Sequence, residues 1–245
     1  MTASPQLPPG LRLISFDEID STNSEALRRL GGGEPPGAVF WARRQTAGRG
    51  RRGRSWDSPA GNLYATLTVA VPAGRPAGQF AFVAALAVGD AVRTVLPAGR
   101  RVRYKWPNDL LLDSAKLGGI LIEGPAGNAG PAALAVGFGI NVASSPAGAA
   151  NLNGAGATVE ALLGAICSAF ERWADIWESR GFAPLRAAWL ADAHGIGGPV
   201  EVRFADGRVM HGLFRDVDEH GALVLQPPDR ATMRIATGEV FFAAA

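Results

Sequence analysis

The chain reads as an α+β protein: a mixed sheet with helices, followed by a small SH3-like β-barrel. Three observations carry this reading. Apolar residues recur at helical spacing in two long segments, 77–96 and 158–180. Elsewhere the pattern alternates with period two, as where Leu63, Ala65, Leu67, Val69 and Val71 interleave with Tyr64, Thr66 and Thr68. From Gly195 the runs become short and are bounded by Asp206-Gly207, His220-Gly221 and Pro227-Pro228, which predicts five strands of a small barrel.

The elements follow in order. Residues 1–10 are Pro-rich and read as a flexible leader. Residues 11–19 form a first strand. Thr22 and Glu25 have capping-box spacing, so a short helix runs through 26–30 and stops at the Gly31–Gly33 run. Residues 38–42 make a strand that delivers an arginine-rich loop, and 63–71 a half-buried strand. The 77–96 helix is buried through Phe80, Val83, Ala84, Ala87 and Val88. Strands follow at 101–105, 116–123 and 134–140, the first two pairing through residues 110–115. Residues 143–157 are a loop of small residues. Thr158 caps a helix whose Leu162, Ile166, Phe170, Trp173 and Trp177 share a face, with Gly181 as its stop. A short helix spans 183–193. The expected organisation is a leader (1–10), a large domain (11–194) and a C-terminal SH3-like domain (195–245).

Composition excludes several classes. The 245 residues are 47% apolar and 19% charged, which rules out disorder throughout. A single cysteine, Cys167, excludes an intramolecular disulfide framework and a Cys-rich zinc site. No long apolar run and no signal-peptide pattern is present, so no membrane association and a cytoplasmic location are expected. The net charge is only +2, yet six arginines and no acid lie between Arg43 and Arg54. That concentration points to an anionic partner.

Three segments carry chemistry. In the first, Gly48, Gly50 and Gly53 spell G-x-G-x-x-G, but Trp56, Pro59, Gly61 and a strand follow instead of a helix, so a dinucleotide fingerprint is excluded. What remains is a glycine loop whose backbone can approach an anion closely and whose arginines offer bidentate donors. It should order around an anionic ligand, with Trp56 offering a face to a base. The second segment holds Lys105-Trp106-Pro107-Asn108-Asp109 and then Lys116 to Glu123. Its lysines are fixed point charges for a carboxylate or an α-phosphate, and Asp109 can accept from a substrate or an incoming amine. The third is Gly137-Phe138-Gly139-Ile140-Asn141, where glycines admit close approach and Asn141 can hydrogen-bond a sugar or phosphate. Singly, each also reads as a solvated basic patch, a strand end or an Asx-turn. His194, His211 and His220 are isolated and read as structural or surface residues. Cys167 reads as core.

Taken together, Asp20-Ser21-Thr22-Asn23, the run from Gln45 to Trp56, Lys105 to Asp109, Lys116 to Glu123 and Gly137 to Asn141 resemble the bacterial biotin protein ligases over residues 14–142. The terminal barrel is similar to that family's C-terminal domain. The resemblance implies a class II synthetase-like catalytic domain at 11–194 and a monofunctional biotin–[acetyl-CoA-carboxylase] ligase. Biotin and ATP would be its substrates, with Mg2+, giving biotinyl-5′-AMP. The acyl group would then pass to a lysine of the biotin carboxyl carrier protein of acetyl-CoA carboxylase.

The resemblance also implies residue roles. Ser21, Thr22, Asn23 and Gln45 would hold the biotin ring system. Arg49, Gly50 and Arg51 would close over biotin and the adenylate. Lys116 would bridge the biotin carboxylate and the α-phosphate, making Arg51 and Lys116 the catalytic pair. Arg51, Arg52, Arg54, Trp56, Lys105, Asn108, Asp109, Lys116 and Asn141 would face the nucleotide. The metal ligands stay unassigned. Some members carry an N-terminal winged-helix domain, but Ser21 begins the motif only 20 residues in, so no DNA partner is expected. A lipoate or octanoate ligase or transferase of the same superfamily is the nearest alternative. A non-enzymatic nucleic-acid binder would leave Lys105 to Glu123 unexplained. A weak homodimer through an exposed strand edge stays open.

Overall fold

The computed structural model describes residues 4–125 and 133–242; parts of the expected leader (1–3) and of the C-terminal domain (243–245) lie outside them. Seven strands build the larger sheet: β1 (Arg12–Ile19), β2 (Ala38–Gln45), β3 (Leu63–Ala70), β4 (Val102–Lys105), β5 (Asp109–Leu112), β6 (Ala115–Glu123) and β7 (Ala133–Ile140). Their order is β1-β2-β3-β7-β6-β5-β4. β1 and β2 run parallel and the other pairings are antiparallel, so the sheet is mixed.

The helices are α1 (Thr22–Gly31), α2 (Phe80–Arg93), α3 (Val159–Arg180) and α4 (Ala183–Ala191). Strand periodicity assigns them to two faces. On β2, Val39 and Trp41 enter the main core, whereas Ala38 and Phe40 pack with Ala26 of α1 in a smaller cluster. On β7, Leu134, Val136, Phe138 and Ile140 face the main core, built on α2 and α3. The alternate positions, Ala135, Gly137 and Gly139, carry almost no side chain on the opposite face. That thinning leaves room beside α1 for a cavity.

Five sequence expectations change. Strands β4 and β6 do not pair directly, because β5 lies between them. Leu110, Leu111 and Leu112 are all buried, so this interior strand shows no alternation to read. Strand β3 is buried on both faces from Leu63 to Thr68; its polar side lies under α1 and the cavity, not in water. The cap of α1 is Ser21, whose side chain accepts from Ser24 N–H, and this frees Thr22 for other work. The described part of the leader is not loose: Pro5 is buried, and the Gln6 backbone lies so close to Gly164 of α3 that a Cβ there would meet Gln6 O at 2.5 Å. The 77–96 segment also divides into a 3₁₀ turn at 77–79 and α2. The Thr158 cap and the Gly181 stop of α3 are as read.

The C-terminal strands are β8 (Pro199–Arg203), β9 (Val209–Val217), β10 (Leu223–Gln226), β11 (Met233–Ile235) and β12 (Glu239–Phe242). They form an antiparallel sheet in the order β11-β10-β9-β8-β12. Gly207 turns β8 into β9 with φ 83°, as Asp-Gly predicts. The inner residues of this sheet, among them Val202, Phe214 and Leu223, join the same core as Phe82, Phe182 and Trp189. The joint is also polar: Trp106 Nε1 donates to Gly221 O at 3.0 Å, and Gln79 Nε2 donates to Glu219 O at 3.2 Å. Gly221 has φ 89°, and a Cβ on it would come within 2.8 Å of the Phe82 ring, so the close approach needs glycine. Among the described residues, no helix is long and apolar enough to cross a membrane.

Candidate active site

A cavity of about 580 Å³ opens on the α1 face of the larger sheet. Every residue assigned above to biotin or the nucleotide borders it, except Arg52. Arg52 sits at a left-handed turn of the loop, φ 58°, and its side chain is exposed. The geometry therefore does not support a nucleotide contact for Arg52.

One end of the cavity is polar and mostly neutral. Gln45 Oε1 accepts from Thr22 N–H at 2.8 Å and from Thr22 Oγ1 at 3.2 Å, while Gln45 Nε2 donates to Ser58 Oγ at 3.0 Å. Thr66 Oγ1, fully buried on β3, lies 2.9 Å from Thr22 Oγ1 and 3.3 Å from Asn23 Oδ1. These bonds fix the direction of each amide and hydroxyl, leaving a preorganised surface for a polar, uncharged group. Thr66 and Ser58 were not singled out in the sequence. The polar face of β3 was the available signal for Thr66.

The other end is cationic. Arg49, Arg51, Arg54, Lys105 and Lys116 border the cavity against Asp57, Asp109 and Glu239. Three of these cations have carboxylate partners: Arg49 with Glu123, Arg54 with Glu239, and Lys116 with Asp109 at 2.7 Å. Arg51 and Lys105 make no ion pair among the described residues. Asn108 Nδ2 is tied to Ile120 O, so its Oδ1 is left to hold Arg51 Nη1 at 3.1 Å. Lys105 Nζ lies over the rings of Phe241 and Phe242, 5.4 and 5.9 Å from their centroids. Burial holds both charges below their ordinary pKa ranges, and for Lys105 the neighbouring Lys116 and Arg54 add to this. Asp109 and Glu239 act in the opposite sense on both without pairing directly with either, and two partly desolvated cations with no direct ion pair are what an anionic ligand would neutralise.

The loop and floor follow from glycine. At Gly48, a Cβ would lie 2.3 Å from Trp56 O and 2.4 Å from Ser58 Oγ, so the loop can close on itself only with glycine there. Gly50 N–H to Arg54 O at 2.7 Å and Trp56 N–H to Gly48 O at 2.8 Å complete its base. Trp56 lies on Gly139, where a Cβ would meet the indole at 2.8 Å, and Lys116 Nζ is 5.3 Å from the Trp56 ring. Asn141 is held by its own side chain, which donates to Ala150 O at 3.0 Å.

Two further contributions had no local signal in the sequence. Asn62 Oδ1 accepts three consecutive backbone N–H groups, from Val142, Ala143 and Ser144, and so pins the start of the small-residue loop. Pro146 and Ala149 of that loop border the cavity, as do Glu239, Val240 and Phe241 of β12.

Family models match both parts of the chain. Residues 15–141 match the Biotin/lipoate A/B protein ligase family, and residues 195–243 match the Biotin protein ligase C terminal domain. The chain belongs to the biotin protein ligase family. A biotin--[acetyl-CoA-carboxylase] ligase of Paracoccus denitrificans is 42% identical over 236 residues, covering 91% of this chain and 97% of that protein. A bifunctional ligase/repressor of Escherichia coli is 34% identical over 221 residues, covering 85% of this chain and 67% of that protein. Among solved structures, a biotin protein ligase from Aquifex aeolicus in complex with biotin and ATP superposes with a TM-score of 0.81 at 24% identity. The match covers 94% of this chain and 97% of that one, and it supports the family fold.

The family implies magnesium with the nucleotide. Among the described residues, no group of three His, Cys, Asp or Glu converges to hold a metal, and Asp109 is already taken by Lys116. A magnesium ion brought in with ATP takes most of its ligands from phosphate and water, so the protein need supply few of them.

Proposed function

We propose that this protein is a biotin–[acetyl-CoA-carboxylase] ligase: it activates biotin with MgATP and transfers it to one lysine of a biotin carboxyl carrier protein. The observation that carries this reading is the division of one cavity into a neutral hydrogen-bonding end and a cationic end where five cations face three carboxylates and two of the cations, Arg51 and Lys105, make no direct ion pair. A ureido ring is uncharged and needs fixed donors and acceptors. A carboxylate beside a triphosphate needs cations, because the two anions repel.

In the first half-reaction, a carboxylate oxygen of biotin attacks the α-phosphorus, the bond from that phosphorus to the β-phosphate oxygen breaks, and pyrophosphate leaves. Negative charge crowds where carboxylate and α-phosphate meet. Lys116 would bridge the carboxylate and the α-phosphate, with Arg51 over the phosphates; that both line the cationic end of the cavity supports this. Ser21, Thr22, Asn23 and Gln45 would surround the ring system, Ser21 chiefly by capping α1. Arg49 and Gly50 would form the cover. Trp56 and Asn141 would flank the nucleoside, with Lys105, Asn108 and Arg54 nearer the phosphates. In the second half-reaction, the carrier's lysine amine attacks the acyl carbon, the bond to the AMP oxygen breaks, and AMP leaves. The amine's proton passes to solvent or to a neighbouring carboxylate, and Asp109, in its ion pair with Lys116, would lie near the attacking amine. No nucleophilic side chain is needed. A cytoplasmic location accompanies this reading, because ATP and the carrier are found there.

The test is incubation of the purified protein with labelled biotin, MgATP and a biotin carrier domain, with labelled lipoate in parallel. Label on the carrier from biotin, and not from lipoate, is expected. Transfer of lipoate but not biotin would overturn the assignment.

A further inference from the structure

We propose that Glu123, which does not border the cavity, is a positioning residue: its carboxylate ties the arginine loop to the floor of the site and so sets how long the activated intermediate is retained. Glu123 ends β6. One oxygen accepts from Arg49 Nη2 at 2.6 Å, and the other accepts from Asn23 Nδ2. The first partner belongs to the loop over the site, the second to the wall beneath it.

The Asn23 side chain is the fixed half of this contact. Asn23 is only 4% exposed, and its Oδ1 faces Thr66 Oγ1 and lies where a Cβ on Gly137 would come within 2.8 Å. Its Nδ2 is therefore aimed at Glu123. Arg49 sets its other arm, Nη1, against Ser24 Oγ of α1 at 3.3 Å. A carboxylate satisfies both donors because it has two acceptor oxygens and no hydrogen. A glutamine would turn an N–H₂ group toward either the guanidinium or the Asn23 amide, donor against donor. Arg49 is two residues from Arg51, so losing its contact with Glu123 removes one of the ties on the stretch of loop that carries Arg51, the bond from Arg51 to Asn108 being another. An acyl-adenylate is a reactive mixed anhydride, and the cover that holds it also excludes water.

The inference rests on the biotin and ATP reading, and its test keeps the two apart. The full-length protein is loaded with labelled biotin and MgATP, the intermediate is chased with unlabelled biotin, and its release is followed beside steady-state biotin KM and kcat. Glu123→Gln should release the intermediate several-fold faster, on the order of 3- to 10-fold, because the Arg49 half of the contact is partly solvent-screened while the Asn23 half is buried. Biotin KM should rise more than kcat falls. Arg49→Gln should reproduce the effect, and the double variant should add little, because both act through one contact. Wild-type release and KM in folded Glu123→Gln, or effects of the two variants that multiply, would overturn the proposal. Should Glu123→Gln fail to fold, Arg49→Gln decides alone: unchanged release overturns it. A wild-type protein that forms no adenylate from biotin would strike the functional reading instead.

Discussion

Replacing Thr66 by valine tests whether the neutral end of the cavity is held by its buried hydroxyl. Valine keeps the branched shape and removes only the Oγ1 that lies 2.9 Å from Thr22 and 3.3 Å from Asn23. Thr66 is 0% exposed, so water cannot replace the lost bond. At least one buried acceptor is then left short, which costs about 1–3 kcal/mol. For a domain of this size, each kcal/mol moves Tm by roughly 2–4 °C, so a fall of about 2–12 °C is expected. Thr66→Ser is the control: it keeps the hydroxyl and loses one methyl, worth about 0.8 kcal/mol. The two variants separate on biotin. Thr22 reaches Gln45 through the same chain, so valine should raise biotin KM while serine leaves it near wild type. Scanning fluorimetry and steady-state kinetics on both variants provide the test. A valine variant as stable as wild type, with unchanged KM, would refute the argument that this network orders the site.

Three further predictions concern single groups. Lys116→Ala should slow adenylate formation by about 100- to 1000-fold, the usual effect of removing a preorganised donor, with little loss of stability because the side chain is 41% exposed; pyrophosphate release within tenfold of wild type would remove Lys116 from the chemistry. Burial lowers the pKa of Lys105 from the ordinary 10.5, so its cationic contribution to activity should be lost as pH rises through the lowered value. The same shift makes stability rise with pH between the lowered value and 10.5, because the unfolded chain binds more protons there. Lys105→Arg should move the alkaline limb of the pH–rate profile upward, and an unmoved limb would assign it to another group. Burial pushes the Cys167 thiol up to about 12, and the residue is 1% exposed, so a thiol reagent should modify it only when urea unfolds the chain; rapid modification of native protein would contradict the buried placement.

The cationic end was far more legible in the sequence than its surroundings. Gly48, Gly50, Lys105 to Asp109 and Lys116 lie in contiguous runs whose spacing survives without a structure. The long helix was readable because Thr158, five apolar positions and Gly181 are all local features. Strand β5 was not, since three consecutive leucines buried on both faces remove the period on which strand reading depends. The cap of α1 was displaced by one residue because Ser21 and Thr22 are both good caps, and only tertiary contact shows that Thr22 is needed by Gln45. Arg52 shares the run of its neighbours in sequence, yet it sits exposed at a left-handed turn and does not border the cavity. The contributions of Asn62, Glu123 and Glu239 come from residues remote in sequence from the segments they serve.

The bond from Trp106 to Gly221 bears on how the molecule should fail. Trp106 stands between Lys105 and Asn108, so the stretch that lends charge to the cavity is also nailed to the barrel by its indole. With one hydrophobic core continuous across both parts, heating should give a single calorimetric peak. Temperature-sensitive lesions should then arise in the barrel, at Gly221 for example, and a genetic screen would score them as loss of the ligase although no atom near the reacting groups had changed.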